Sequence, residues 1–489
     1  MFSPLAIAPT SAAGGLEVEW WSMIPFVILL LCIAILPLIH ATEHRWEQNS
    51  TKLTVALVLG LPVAVWFWFA GEQVTVLHSL WEYVQFVLLL GALFVISGGI
   101  FLTGDLQATP RVNAAFLGIG AVLASFIGTT GAAMLLVRPL LNTNKERRHK
   151  VHTIVFLIFI VANTGGLLTP LGDPPLFLGF LRGVPFTWTF NLIAEWLFVN
   201  VLLLLTYYAL DTRLHRSEPA SNLLADAVQR TPLGLKGGIH FLFLAMVVAA
   251  VAVVPSLDLH AIEDGTATFA QSVPWRELVF LLAGALSYFL GDKVARFVSN
   301  EFSWTPILEV AALFIGIFLA MMPALKFLSQ IAPKLPLNEL TFFYFTGGLS
   351  AFLDNAPTYV TFFEMARQLP GDPRVADVPE AYLVSISLGA VFMGAMTYIG
   401  NGPNFMTKAV ADSRGVAMPS FGGYLGWSGK YLLPVMIAMS FIFIAPQLWL
   451  KGIGLALAVG LLARSVLILR QPPVPAADED EPEYDAARV

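Results

Sequence analysis

Asp173 and Asp354 are the residues of this chain best placed to do chemistry. Each stands inside an apolar stretch and each is followed by proline, in Asp173-Pro174-Pro175 and in Asp354-Asn355-Ala356-Pro357. An ionisable group at membrane depth costs several kcal/mol, of order 3 on insertion scales, and marks a functional site by default. Proline is favoured in the first turn of a helix, so each Asp, or the Asn in its place, is expected to cap a half-helix that starts near mid-membrane. A cap and nothing more is the competing structural reading of both. Hydroxyl and amide side chains gather at the same places: Thr129, Thr130, Asn163, Thr164, Thr169, Asn355, Thr358, Thr397, Asn401 and Asn404. Oxygen-only ligands with one or two carboxylates suit a hard cation or a proton. Sodium on Asp173 and Asp354, in competition with protons, is the metal chemistry these residues would support.

The same residues fall on a repeat. Laid over each other at an offset of about 228, Gly166 meets Gly394, Thr169 meets Thr397, Gly172 meets Gly400, Asp173 meets Asn401 and Pro175 meets Pro403. A second pair matches at an offset of about 226, where Ser125-Phe126-Ile127-Gly128-Thr129-Thr130 overlays Ala351-Phe352-Leu353-Asp354-Asn355-Ala356. Gly and Pro interrupting matched apolar helices in two halves of a membrane chain point to a transporter's substrate site.

The elements that must position these residues follow from composition and length. The chain is 57% hydrophobic and 12% charged, with a mean hydropathy of +0.74. A soluble domain carries roughly 25% charged residues, so an all-α polytopic membrane protein is expected. About twenty apolar residues span the hydrocarbon core. On that ruler crossings lie near 22–40, 52–71, 80–104, 188–210, 236–256, 275–291, 303–325, 427–447 and 451–470, with broken crossings at 151–182 and 381–411. The stretches 112–141 and 340–366 have polar or Gly/Pro-containing middles, and each half is read as too short to cross. They are expected to be re-entrant hairpins, which lie at depth only when buried in protein or lining a water cavity.

Two hairpins and two broken helices in the same order make two repeats. The first holds an odd number of crossings, so the second is inverted. The expected organisation is an extracytoplasmic segment 1–21, a first repeat 22–210, a cytoplasmic linker 211–235, a second repeat 236–447, an extra crossing 448–470 and a disordered acidic cytoplasmic tail 471–489. The basic loop with Lys145, Arg147, Arg148 and Lys150 is assigned to the cytoplasm by the positive-inside rule. That choice also brings Arg213, Arg216, Arg230, Lys236, Lys293, Arg296, Lys408 and Arg414 inside, and places the N-terminus outside and the C-terminus inside. Arg182, Lys326, Lys334, Arg367, Arg374 and Lys451 go against it.

Other residue classes narrow the chemistry further. Cys32 is the lone cysteine, which rules out an intrachain disulfide and a multi-cysteine centre. The eight His are read as mostly loop residues without metal-ligand spacing, and no zinc-protease, nucleophile-elbow or phosphate-loop motif occurs. An enzyme, a cofactor and nucleic acid binding are therefore not expected. Glu82, Glu277 and Glu309 are read as interfacial, and Asp105 as an interfacial cap. Arg138 and Glu364 are equivalent positions of the two hairpins, read as facing the headgroups rather than each other.

The chain resembles the ion transporter superfamily, and within it the bacterial NhaD-type sodium/proton antiporters and the related citrate transporter chains. The residues that carry this are Asn163-Thr-Gly-Gly with Thr169-Pro-Leu-Gly-Asp-Pro-Pro175, Phe352-Leu-Asp354-Asn355-Ala-Pro-Thr358, and Gly400-Asn401-Gly-Pro-Asn404, within a match from about 22 to 447. The resemblance implies alternating access in a bacterial inner membrane, with the bilayer and small cations as partners, and a homodimer. Sodium- or proton-coupled uptake of an organic anion such as citrate is the alternative. The dicarboxylate and citrate symporters of the superfamily carry Ser-Asn-Thr at both hairpin tips. Here the tips read Gly128-Thr129-Thr130 and Asp354-Asn355-Ala-Pro-Thr358, and a fixed Asp354 repels a carboxylate and attracts a cation.

Overall fold

The computed structural model describes residues 16–36, 39–46, 48–228 and 230–473. Most of the segment assigned as 1–21 and nearly all of the acidic tail assigned as 471–489 lie outside these residues. Within them the chain is almost wholly helical. Among the described residues seven helices are long and apolar enough to cross a membrane: Asn49–Phe69, Gln73–Ser97, Pro110–Ile127, Trp188–His215, Thr305–Lys334, Phe421–Ile444 and Leu448–Arg470. Shorter apolar helices cover Trp20–Ile35, Val151–Leu167, His240–Val253 and Glu380–Met396.

The interrupted helices form the centre. Every residue of Val151–Ile160 is buried, whereas Leu448–Arg470 on the periphery buries only Gly454, Ala458, Ser465 and Ile468. Outer helices show bare apolar faces, with Leu448, Trp449, Val459 and Leu467 exposed. In water that surface would be a defect; in a bilayer it is the lipid-facing side.

Two helix–tip–helix units pack into this centre. Pro110–Ile127 and Thr129–Thr143 meet at Gly128, whose φ of +82° is a conformation glycine adopts without a Cβ penalty. Thr109 caps the first arm by accepting from the Val112 amide, and Pro110 opens it. The second unit joins Glu339–Phe352 to Asn355–Arg367 through Leu353 and Asp354, and Asn338 and Thr341 form a capping box at its start. The interrupted helices run Val151–Ile160 to Pro174–Leu181 and Glu380–Met393 to Gly402–Ser413.

The repeated motifs repeat in space. The Thr169 hydroxyl donates to the Ser125 carbonyl, and the Thr397 hydroxyl donates to the equivalent Ala351 carbonyl. Each hydroxyl then accepts a backbone amide, from Leu171 at 3.1 Å and from Ile399 at 3.2 Å. The second half of each broken helix packs on the returning arm of the other unit's hairpin, Pro174–Leu181 on Asn355–Arg367 and Gly402–Ser413 on Thr129–Thr143.

Several expectations need correction. The first arm Pro110–Ile127 is 18 residues and is itself long enough to cross, because the Thr109 cap starts it earlier than the apolar count suggested. The expected crossing 80–104 is the helix Gln73–Ser97, ended by Gly98 and Gly99. Residues beyond it form the strand Phe101–Asp105, paired antiparallel with Thr231–Lys236. The stretch 211–235 is accordingly no plain linker: it contains the end of Ile193–His215, the helix Ala220–Val228 and most of that second strand. Polar composition hid a strand that exists only because its partner lies far along the chain. Asp105 sits on the first strand in an ion pair with Lys145 at 2.6 Å and caps no helix.

The breaks depend on glycine. Gly172 lies directly against the Gly166 carbonyl, and a Cβ added at Gly400 would fall 2.5 Å from the Gly394 carbonyl and 2.7 Å from the Ser350 carbonyl. Backbone cannot yield as a flexible side chain can, so overpacking here costs about 1–3 kcal/mol. Gly400→Ala is therefore expected to lower the thermal midpoint of the detergent-solubilised protein by several degrees. Gly348→Ala, where an added Cβ meets nothing within 4 Å, is expected to leave it unchanged or higher in the same assay.

Candidate functional site

The interrupted helices and hairpin tips converge on Asp173. The residue is 1% exposed and occupies the N-cap position of Pro174–Leu181, yet its side chain makes no capping bond. Its Oδ1 accepts from the Thr129 hydroxyl at 3.0 Å and from Asn401 Nδ2 at 3.1 Å, and its Oδ2 accepts from Asn355 Nδ2 at 2.6 Å. The first hairpin, the second hairpin and the second broken helix each contribute one donor. The expected capping role thus does not hold for Asp173, nor for Asn401, whose side chain also caps nothing. It holds for Asp354, whose Oδ1 accepts the Ala356 amide at 3.0 Å.

Asn401 and Asn163 extend the network. Asn401 Nδ2 reaches the Ala162 carbonyl at 3.3 Å and Asn163 Oδ1 at 3.2 Å. Asn163 Nδ2 donates to Asn404 Oδ1 at 2.7 Å and to the Ile158 carbonyl at 2.8 Å. Asn404 Nδ2 donates to the carbonyls of Gly394 and Thr397, each at 2.9 Å. Carbonyls freed at each break are thereby satisfied by side-chain amides, those of Ile158, Gly394 and Thr397 from the same broken helix and that of Ala162 from the other, which is how interrupted helices survive at depth.

Asp354 stands differently. It is half-buried and lines a cavity of about 100 Å³ together with Thr129, Thr130, Asn401, Leu171 and Phe314. Such a space holds several waters or a small hydrated ion. Four helices begin here, at Thr129, Pro174, Asn355 and Gly402. Their N-termini supply positive partial charge within the first turn, which lets two carboxylates share the interior. Among the described residues neither Asp173 nor Asp354 has a Lys, Arg or His within ion-pair distance. No group of three or more His, Cys, Asp or Glu capable of holding a metal occurs among them either. The chemistry available is two carboxylates amid hydroxyls, amides and loosened backbone.

The remaining candidates divide. Asn163, Asn355, Asn401, Asn404 and Thr129 join Asp173 in one network, and Thr130 faces the cavity. Thr169 and Thr397 tie the breaks to the hairpins, as described above. Thr358 bonds back to the Asp354 carbonyl at 3.0 Å. Thr164 turns away and donates to Asn200 at 2.8 Å. Asn200 escaped the sequence reading because it sits in an intact helix; a lone Asn in an apolar run was its only signal. Ser125, noted only as part of the repeat, and Ser350, which escaped the reading, donate to the carbonyls of Gly165 at 2.5 Å and Ala390 at 2.7 Å.

The three acids read as interfacial all have protein partners. Glu277 is buried and accepts from Ser256 at 2.8 Å, Gln85 at 3.2 Å and Arg276 at 3.0 Å. Glu82 pairs with Arg182 at 2.7 Å in mid-helix. Glu309 is partly exposed and pairs with Lys52 at 2.6 Å. Arg138 and Glu364 do not pair with each other; their ion-pair partners are Glu301 and Arg182, both at 3.4 Å. His152 and His240 are buried in helices rather than in loops, bonded to Asp211 at 2.8 Å and Ser287 at 2.9 Å. Helical partners arriving from distant segments supply what the local sequence did not advertise.

Comparison with curated proteins yields no match. A family model described as "Putative citrate transport" matches residues 15–444, and this multi-pass membrane protein belongs to that family.

Proposed function

We propose that the protein is a secondary transporter that exchanges a small cation, sodium first, against protons at Asp354 and Asp173. One observation carries this reading: two carboxylates stand inside the protein without a basic side chain beside them. A buried carboxylate takes on a proton or a cation rather than remain a bare charge. Both species then compete for the same oxygens, which is the requirement of antiport. Asp354 faces the cavity and meets the cation, with Thr129, Thr130 and Asn401 as neutral neighbours. Asp173 ties both hairpin tips to the second broken helix, so its state is felt by the elements that move.

The basic loop 142–150 supports placing the open end of the first hairpin at the cytoplasm, with the N-terminus outside and the C-terminus inside. The two units then present the site to each side in turn, in the manner of inverted repeats.

The family description favours a second reading, coupled uptake of an organic anion such as citrate. Four helix N-termini are an anion site in principle. Against it stand Asp354 in the cavity wall and a cavity of about 100 Å³, below the roughly 300–1,000 Å³ of ordinary small-molecule sites.

Dequenching of a pH-sensitive dye in inverted vesicles tests the first reading. Sodium chloride is expected to dequench it, and Asp354→Asn or Asp173→Asn to slow that response more than about tenfold. Asn still caps a helix, so the Asp354 substitution removes charge and keeps the turn. Wild-type exchange in an inserted Asp354→Asn protein would sink the assignment. No response to sodium, lithium or potassium, together with sodium-dependent citrate uptake, would establish the second reading.

Competition also sets the pH dependence. Cation binding needs ionised carboxylates, and their ionised share rises with pH. The sodium concentration giving half-maximal exchange is therefore expected to fall as pH rises, by up to about tenfold per unit for one displaced proton. A half-maximal concentration independent of pH from 6 to 9 (~3 units) would exclude a shared site.

A further inference from the structure

Two ion-pair clusters stand at opposite ends of the central helices, and they are built from equivalent parts. Arg138 and Glu364 occupy matching positions on the returning arms of the two hairpins. Arg182 and Arg414 each follow directly on the second half of a broken helix, at its C-cap. Each cluster adds one acid from outside these units. Glu82 comes from Gln73–Ser97, and Glu301 from the segment before Thr305–Ile331.

The clusters differ in how tightly they are drawn. At one end Arg182 bridges Glu82 at 2.7 Å and Glu364 at 3.4 Å, with the Arg182 side chain only 8% exposed. Glu364 is held further by Arg367 at 3.4 Å. At the other end Glu301 is 64% exposed and reaches Arg138 at 3.4 Å and Arg414 at 3.8 Å. Arg138 Nε is buried there without a hydrogen-bond partner. A desolvated, multiply bonded Arg holds its place, whereas an exposed pair at such distances contributes little.

Open space lies at both ends, but a cavity of about 770 Å³ at the tight cluster, lined by Glu82, Arg182, Glu364 and Arg367, has a lining separate from that of the cavity at Asp354. A cavity of about 220 Å³ is lined by Arg138, Glu301, Met134 and Val410. It shares Phe94, Gly131, Pro306 and Met406 with the cavity at Asp354. The site therefore communicates toward the loose cluster. Broken helix packs on hairpin at both ends, Pro174–Leu181 on Asn355–Arg367 and Gly402–Ser413 on Thr129–Thr143, so the ion pairs and the cavities are what distinguish them.

We propose that the two clusters are reciprocal end-locks: Glu82–Arg182–Glu364 closes one end of the pathway in the state seen here, and Arg138–Glu301–Arg414 closes the other in the alternate state. In each, the C-cap Arg of one repeat's broken helix is brought against the other repeat's hairpin and a flanking acid. When the central units shift, one lock tightens as the other opens. The device does not depend on the cargo and serves a cation or an organic anion equally.

The test uses Cys32→Ser with a single cysteine at Met406, which lines both cavities. Membrane-impermeant maleimide is applied to vesicles of both orientations. With the native locks, labelling is expected from the side of the loose cluster. Arg182→Gln and, separately, Glu82→Gln are expected to slow labelling from that side at least threefold by favouring the alternate state. Glu301→Gln is expected to leave it as fast or faster. For Arg138→Glu, lost transport is expected to return when Glu301→Arg is added. Unchanged labelling in both Arg182→Gln and Glu82→Gln, in protein that inserts and keeps its thermal midpoint, overturns the proposal. Failure of the paired reversal to restore any transport overturns the role of the loose cluster.

Discussion

The arrangement of the centre depends on one buried carboxylate. Asp173 is held by donors from three separate elements, Thr129, Asn355 and Asn401. A hydrogen bond to a charged group contributes about 1.5–3 kcal/mol, and leaving the charge short of a donor costs more. The tips of both hairpins and the break of the second helix are thus bound to one point. Move any of them, and either Asp173 must change its ligation or the others must follow. A structure with such a node at its centre transmits a local change in charge to every element that could open a path.

Around that node the protein uses amides and hydroxyls where a soluble enzyme would use Lys, Arg or His. The chain Asn401–Asn163–Asn404 links the two breaks side chain to side chain and satisfies carbonyls loosened at both. Helix N-termini supply the positive potential that basic side chains do not. The arrangement holds two acids near one cavity without a basic side chain within ion-pair distance among the described residues. Basic residues occur instead at the ends, where Arg182, Arg138 and Arg414 pair with acids along the route rather than at its centre.

Apolar surface is distributed with the same logic. The breaks are enclosed, since loosened backbone facing lipid would have no partner. Intact helices such as Leu448–Arg470 turn bare faces outward, since their backbone bonds are complete. The polar centre is possible because continuous helices screen it from the hydrocarbon.

Much of this was legible along the chain, for local reasons. Gly and Pro placed between apolar runs encode helix breaks by backbone sterics alone, so the tips at Gly128 and Asp354 and the breaks before Pro174 and Gly402 stand where sequence puts them. Repetition at a constant offset marked Thr169 and Thr397, whose matched bonds to Ser125 and Ala351 follow from equal local structure. What each carboxylate does was not legible. Both Asp residues precede proline and both read as caps, yet Asp354 caps and Asp173 does not, because the donors on Asp173 come from segments more than forty and nearly two hundred residues away. The same limit hid the pairing of Phe101–Asp105 with Thr231–Lys236, the burial of Glu277 and the partners of Arg138 and Glu364. Sequence by itself determined where helices must break and that the broken places carry oxygen ligands, since those depend on neighbours in the chain. Tertiary structure alone decided which acid faces the cavity and which ties the hairpins together, since that depends on neighbours in space.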